Sequence, residues 1–162
     1  MTLREPLVII NGQIQQLPTG DTINGAGPGS AFDGTFNGTN GEASTINLGQ
    51  PVYISANDTV KLLSANSANS VKYAGLVSDA SIGTGNTGNI AYTGELTGNL
   101  AQWTAITGSG TLTAGSTYYV DNAATGNLTA TAPTTASHFV IPVGVALNAT
   151  TLKLIDPTIV KL

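Results

Sequence analysis

The side chains that most often carry out catalysis are scarce in this sequence. His138 is the only histidine and cysteine is absent, so neither a paired-histidine metal site, a cysteine-ligated zinc site nor a second Ser-His pairing is predicted. Sugar hydrolysis needs two carboxylates about 5 to 9.5 Å apart, and nothing in the sequence favours a pair such as Asp79 with Glu95. We therefore expect no catalytic residue, no metal ligand and no cofactor, and predict that the protein is not an enzyme.

One glycine-rich stretch, from Gly83 to Gly88, fits the G-x-G-x-x-G pattern of dinucleotide sites. Such a site needs a helix that opens at the last glycine, so that the helix N-terminus faces the pyrophosphate. Here Gly88 leads instead into Asn-Ile-Ala-Tyr-Thr, which is typical of a strand. The stretch therefore predicts a loop.

A carbohydrate-binding surface is an alternative interpretation, in which Tyr92 and Trp103 form one exposed aromatic site. Trp103 is the only tryptophan of the chain, and a single tryptophan in a β-domain is more often buried in the core. Burial of Trp103 is therefore the observation that would count against this interpretation.

Charged residues make up only 9% of the 162 residues, and the net charge is -4. Nucleic-acid binding requires clustered Lys and Arg, and no basic residue lies between Lys72 and Lys153, so no nucleic-acid partner is expected. The neutral polar surface suits a protein that packs against copies of itself or against a large assembly. A secreted β-domain would have a similar composition.

The N-terminal stretch predicts a β-hairpin. The apolar run from Leu7 to Ile10 is too short for a signal peptide or a bilayer span, so we expect no membrane partner and synthesis in a cytoplasm. Asn11-Gly12 is a strong signal for a two-residue hairpin turn. Pairing across it places Ile9 opposite Ile14 and Leu7 opposite Gln16.

A two-stranded hairpin is marginal in water by itself, so residues 1–23 are interpreted as an attachment arm that lies on a partner surface. Residues 24–41 are rich in Gly, Asn and Ser and predict a linker. Phenylalanine is unusual in a linker, so Phe32 and Phe36 are expected to dock on a neighbouring surface. The predicted interface residues are Leu7, Val8, Ile9, Ile10, Ile14, Leu17, Phe32 and Phe36.

Residues 42–162 predict a compact all-β domain, a sandwich or barrel of short antiparallel strands. Short apolar and β-branched runs, one of them Trp103–Ile106, alternate with Gly, Asn and Thr turns, and no window predicts a helix. Gly49-Gln-Pro-Val-Tyr-Ile54 is echoed by Gly115-Ser-Thr-Tyr-Tyr-Val120, and Val71–Val77 by Val140–Ala146. We interpret these echoes as two weakly similar units, at about 42–98 and 99–155.

These segments resemble a β-module of tailed-bacteriophage virion proteins, both capsid decoration or head-fibre proteins and tail fibres. The N-terminal stretch is similar to the attachment segment of such proteins. The resemblance covers most of the chain except the Gly-rich linker, and the segments that carry it are Leu7–Pro18, Gly49–Ile54, Ala74–Val77, Trp103 with Ile106–Gly108, Leu112–Val120 and Ile141–Leu147.

The resemblance implies a non-enzymatic, homotrimeric component of the virion, made in the cytoplasm of the host bacterium. Its partners would be its own copies and the major capsid protein or another virion protein. The shortness of the chain suits a capsid decoration protein better than a long tail fibre. Under the alternative, a tail-fibre or tail-tip module, the partner would be a glycan of the host surface.

Overall fold

A computed structural model gives the structure of the protein. It describes residues 7–10, 13–16, 34–108 and 110–162, with the backbone alone for the first two ranges. The chain divides into two units, Met1–Phe32 and Asp33–Leu162, each of which is described by itself.

The predicted all-β class is confirmed, because strands predominate in the described residues. The elements are β1 (Leu7–Ile10), β2 (Gln13–Gln16), β3 (Thr35–Asn40), β4 (Ile46–Asn47), β5 (Pro51–Ala56), β6 (Thr59–Leu62), a 3-10 helix (Ala68–Lys72), β7 (Tyr73–Val77), β8 (Ser81–Ile82), β9 (Thr87–Ala91), β10 (Glu95–Thr97), α1 (Leu100–Thr107), β11 (Thr117–Val120), β12 (Leu128–Thr129), β13 (Phe139–Val140), β14 (Pro142–Ala146), β15 (Thr151–Leu154) and β16 (Val160–Lys161).

In the first unit, β1 and β2 pair antiparallel in the predicted register. Ile9 lies opposite Ile14, and Leu7 lies opposite Gln16. Because successive residues of a strand alternate between faces, Val8 and Ile10 belong to the other face of the hairpin. Among the strands that the structure describes, β1 and β2 pair only with each other.

The second unit begins with a closed barrel in the order β3-β6-β5-β7-β9. β3 closes the barrel, since it pairs antiparallel with β9 and parallel with β6. Buried β-branched residues form its core, four of them on barrel strands and two, Ile46 and Ile82, on β4 and β8. This first core consists of Ile46, Val52, Val60, Val77, Ile82 and Ile90.

The presence of β3 corrects the predicted linker. The sequence predicts a linker over residues 24–41, but Thr35–Asn40 form β3. The strand is hard to predict from the sequence, because Gly38 has no side chain and so interrupts the alternating apolar pattern that is typical of a strand. Glycine is needed there, since a Cβ at Gly38 would lie 2.9 Å from Val60 Cγ1 across the barrel. The linker prediction is therefore wrong for these six residues, and residues 24–33 lie outside the described part.

A second sheet, in the order β10-β15-β14-β11-β12, repeats the first. Val52 on β5 lies opposite Gly75 on β7, and the register shifts immediately after Val52. Tyr118 on β11 lies opposite Gly144 on β14, and the register shifts immediately after Tyr118. The two strand pairs thus share both their register and the position of a β-bulge.

The turns that lead into β5 and β11 correspond as well. Gly49 and Gly115 both have a φ of +81°, in the left-handed region that favours glycine. Their N–H groups donate to the carbonyl oxygens of Val77 and Ala146, each at 2.8 Å. The similar sequences that begin at Gly49 and Gly115 therefore form the same turn and the same following strand.

The correspondence between the repeats extends to β3 and β9 in the first and to β10 and β15 in the second. The Tyr92 N–H donates to the Gly34 carbonyl, and the Leu154 N–H donates to the Gly94 carbonyl, both at 2.8 Å. Strand for strand, β3-β9-β7-β5-β6 matches β10-β15-β14-β11-β12. The repeats therefore begin at Gly34 and Gly94, which corrects the predicted units of 42–98 and 99–155.

The repeats differ where the first one closes into a barrel. β3 continues to Asn40, which pairs with Val60 on β6, whereas β10 ends at Thr97 and is followed by α1. The sequence predicts a strand over Trp103–Ile106 and no helix, and this prediction is wrong.

A reciprocal cap starts α1. The Asn99 side chain accepts from the Gln102 N–H at 2.9 Å, and the Gln102 side chain accepts from the Asn99 N–H at 2.8 Å. This capping box satisfies two backbone donors that the first turn would otherwise leave free. Gly108, with a φ of +66°, ends the helix in the left-handed conformation.

The buried face of α1 joins the two repeats into one core. Trp103 is fully buried, and its Nε1–H donates to the Thr150 carbonyl oxygen at 2.8 Å. Trp103 and Ile106 both lie against Gly49, at the turn of the first repeat. The surrounding cluster includes residues from both repeats, among them Leu63, Leu76, Val120 and Leu152.

The equivalent glycines Gly49 and Gly115 make a matched pair for a stability test. Alanine at either position takes on the same left-handed strain, about 1 to 2 kcal/mol. Gly115 faces open space, but a Cβ at Gly49 would lie 2.6 Å from Ile106 Cδ1 and 2.9 Å from a Trp103 ring carbon. We expect Gly49→Ala to lower the free energy of unfolding by about 1 to 3 kcal/mol more than Gly115→Ala, because of overpacking. Urea denaturation measures both, and equal losses would contradict the packing of α1 on this turn.

Candidate functional site

Most of the predicted attachment residues lie in the hairpin. Leu7, Val8, Ile9 and Ile10 form β1, and Ile14 lies in β2 directly opposite Ile9. The backbone pairing brings these apolar residue types onto two short neighbouring strands. Leu17 and Phe32, which were also predicted as attachment residues, lie outside the described residues.

Phe36 is not an attachment residue, contrary to the prediction, because it belongs to the β-domain. It lies in β3, is half-buried, and packs against the core of the barrel together with Leu62 and Ala74. Its ring centroid is 6.5 Å from that of Tyr92. Its apolar ring is therefore used by the domain itself, beneath an exposed tyrosine.

The predicted aromatic site does not form. Trp103 has no exposed surface, whereas Tyr92 is 44% exposed. Trp103 lies on α1 in the shared core, and Tyr92 follows β9 at the end of the barrel. The structure thus counts against a carbohydrate surface built from both residues, and leaves Tyr92 as the exposed aromatic.

Tyr92 lies instead at a cleft of about 540 Å³. Tyr73 and Ala74 at the start of β7 form part of its wall, and Tyr92 and Thr93 after β9 form another part. The remainder comes from the C-terminal segment between β15 and β16. Among the described residues, its lining is Tyr73, Ala74, Tyr92, Thr93, Asp156, Pro157 and Ile159.

The C-terminal segment is tied down at both ends. β15 belongs to the second sheet, and β16 pairs antiparallel with β13, so that Val160 lies opposite Val140. The N–H of Leu162 also donates to the His138 carbonyl at 2.9 Å. The cleft therefore has a fixed wall where a chain end would ordinarily fray.

The Tyr73 hydroxyl is the unusual polar group of the cleft. Its ring is half-buried and packs against the larger core. Within the described part of the chain, no group donates to this hydroxyl or accepts from it. Every fully buried polar side-chain atom there has a partner, so the hydroxyl is not completely closed off from solvent, and Tyr73 is one of the residues that line the cleft. Burial of the ring raises the pKa of Tyr73 well above its ordinary value, and the hydroxyl stays protonated as a donor.

Sequence reasoning missed Tyr73, Asp156 and Ile159 as residues of a site. No local motif links them, because Tyr73 begins β7 whereas Asp156 and Ile159 lie in the segment between β15 and β16, far along the chain. The apolar C-terminal tail was the one available signal, since such ends are usually docked.

A second, shallower cleft of about 370 Å³ lies beside α1. Small side chains and amides form much of its lining. The amides of Asn99 and Gln102 are already engaged in the capping box of the helix. Among its described lining residues none is charged, and none offers an exposed aromatic ring.

The remaining candidates for chemistry have structural partners. The Asp79 carboxylate accepts from the N–H and the side-chain amide of Asn89, at 2.9 and 3.0 Å. His138 Nδ1 lies 3.0 Å from the side-chain amide of Asn122. In the described part of the chain, no three His, Asp or Glu residues are arranged to hold a metal ion.

Within residues 7–10, 13–16, 34–108 and 110–162, no helix has the length and apolar character that a bilayer span requires. No protein-family model matches this chain, and no curated protein matches its sequence.

The raised pKa of Tyr73 predicts a pH dependence of stability. The unfolded tyrosine ionises near pH 10, whereas the folded one keeps its proton to higher pH. Above about pH 10 the unfolded state therefore binds fewer protons than the folded state, and the free energy of unfolding falls as the pH rises. Urea denaturation between about pH 9 and 11 should show this fall in the native protein and a smaller one in Tyr73→Phe. Equal slopes would contradict the burial of this side chain.

Proposed function

We propose that this protein is a non-enzymatic structural protein of a phage virion, a capsid decoration (cement or head-fibre) protein that docks on the shell through its N-terminal hairpin. The observation that carries the proposal is the hairpin. β1 and β2 pair in register with Ile9 opposite Ile14, and among the described strands they pair only with each other.

The energetics of the hairpin favour a partner surface. Two strands alone do not make a stable sheet in water, and ordering costs about 1 to 2 kcal/mol per residue. Burying the four apolar residues of β1 would contribute about 6 to 12 kcal/mol. A hairpin also offers free strand edges, so a partner sheet can add to it by backbone hydrogen bonds. Apolar burial and strand addition together would fix the arm on the particle.

The properties of the second unit support a module that projects from a shell. Its described buried polar atoms are all paired, and the core cluster around Trp103 contains residues of both repeats. Its surface carries few charges, which suits close packing beside other copies. We also propose that the protein is a homotrimer and that its partner is the major capsid protein. Both proposals rest on the resemblance to decoration proteins. Sedimentation equilibrium tests the trimer.

A tail-fibre or tail-tip module that binds a receptor is the second candidate. The observation that favours it is Tyr92, an exposed aromatic at the rim of a cleft. Trp103 no longer contributes to this candidate, because it is buried in the core.

The hairpin face provides a direct test of docking on the shell. In Ile9→Ser/Ile14→Ser, two opposed isoleucines lose their apolar side chains, a change of about 3 to 6 kcal/mol if both are buried on the partner. We expect affinity for undecorated capsids to fall about 10² to 10⁴-fold in co-sedimentation. The control is Gln13→Ser/Gln15→Ser, which also replaces two residues but on the other face of the hairpin. Its affinity for capsids should remain close to that of the native protein.

Deletion of residues 1–23 completes this test. It should abolish sedimentation with capsids while circular dichroism still reports a folded β-domain. Saturable capsid binding by the shortened chain would refute the proposal, and so would native protein that binds host cells but no shells.

A further inference from the structure

We infer that the cleft beside Tyr92 binds a neutral sugar residue, with the Tyr92 ring against the apolar face of the sugar and the Tyr73 hydroxyl and Asp156 carboxylate bonded to its hydroxyls. This binding goes beyond capsid decoration and does not depend on it. It also gives the second candidate function a site that differs from the one predicted from the sequence.

The chemistry of the lining selects the class of ligand. The cleft, at about 540 Å³, has the volume of a small-molecule site. Tyr73 offers a donor that has no partner among the described residues, Asp156 offers two acceptor oxygens, and Thr93 offers both functions. A pyranose presents hydroxyls that donate and accept on its edge, and C–H groups on its face. The exposed ring of Tyr92 can cover such a face, as aromatic rings do with apolar surface.

Other ligand classes fit this lining less well. An anion would be repelled by Asp156, and among the described lining residues none is Lys or Arg to compensate. A purely apolar ligand would desolvate the Tyr73 hydroxyl and the Asp156 carboxylate without replacing their hydrogen bonds, which is costly. A sugar satisfies both groups.

The internal repeat supplies an independent argument that the strand framework does not require these tyrosines. The second repeat forms the same strand pairs with Pro142 where the first has Tyr73, because Tyr53 faces Tyr73 as Tyr119 faces Pro142. It has Leu154 where the first has Tyr92, as the matching hydrogen bonds to Gly94 and Gly34 show. Leu154 is buried, whereas Tyr92 is exposed. The two tyrosines of the cleft are thus particular to the first repeat, although the strand framework is common to both.

The test uses the full chain and the methyl glycosides of glucose, galactose, mannose and N-acetylglucosamine as probes. Saturation-transfer NMR detects binding, and titration by chemical shift gives the dissociation constant. Tyr73→Phe removes one hydroxyl and leaves the ring in the core, and Tyr92→Ala removes the stacking ring from an exposed position. Tyr119→Phe, the equivalent loss of a hydroxyl outside the cleft, is the control.

We expect saturable binding of at least one glycoside. Tyr73→Phe should weaken it about three- to tenfold, Tyr92→Ala about tenfold or more, and Tyr119→Phe not at all. Absence of binding by all the glycosides at millimolar concentration would overturn the inference, and so would binding that both cleft variants leave unchanged. A parallel arm with purified host surface polysaccharide shows whether a free sugar or a surface glycan is the better ligand. Capsid co-sedimentation of Tyr92→Ala keeps the two functions separate, since it should equal that of the native protein.

Discussion

The close approach of backbone to backbone at two glycines is the constraint on which the fold depends. A Cβ at Gly75 would collide with the carbonyl of Ala91 on the neighbouring strand, and a Cβ at Gly144 would collide with that of Lys153. Each glycine lies opposite the residue at which a bulge shifts the register of the sheet. The bulge bends and twists the strand pair, and the first sheet can then curl into a barrel. The same pair of bends gives both sheets a common curvature, and only the first, in which β3 reaches β6, closes.

The sequence predicted those parts of the fold that depend on local chemistry. Asn11-Gly12 between apolar runs predicted the hairpin and its register, and Gly49 and Gly115 predicted equivalent turns into equivalent strands. β3 was missed because its glycine is required by a contact with Val60 across the barrel, which a local pattern cannot show. α1 was missed because only eight residues form it and their aromatic and β-branched members resemble a strand. The capping residues Asn99 and Gln102 were the signal that could have identified it.

The candidate site was predictable only in part, for the same reason. Tyr92 was identified as an exposed aromatic, but its partners come from β7 and from the segment after β15. Sequence separation gave no indication that these segments meet. The sequence is compatible with a surface or a core role for Trp103, and the contact of α1 with Gly49 buries it in the core. In this protein, the repeated framework defines which positions are structural, and the differences between the repeats locate the side chains that the framework does not require.

Closing the first sheet into a barrel also protects the chain from association through its strand edges. An edge strand exposes backbone groups that can template pairing with another chain, as in amyloid. The parallel pair of β3 and β6 removes both edges of the first sheet. The second sheet ends in strands of three and two residues, and the longer of these begins with the exposed carboxylate of Glu95. Short and charged edges disfavour aggregation, so many copies of this domain can be crowded together while each keeps its own fold.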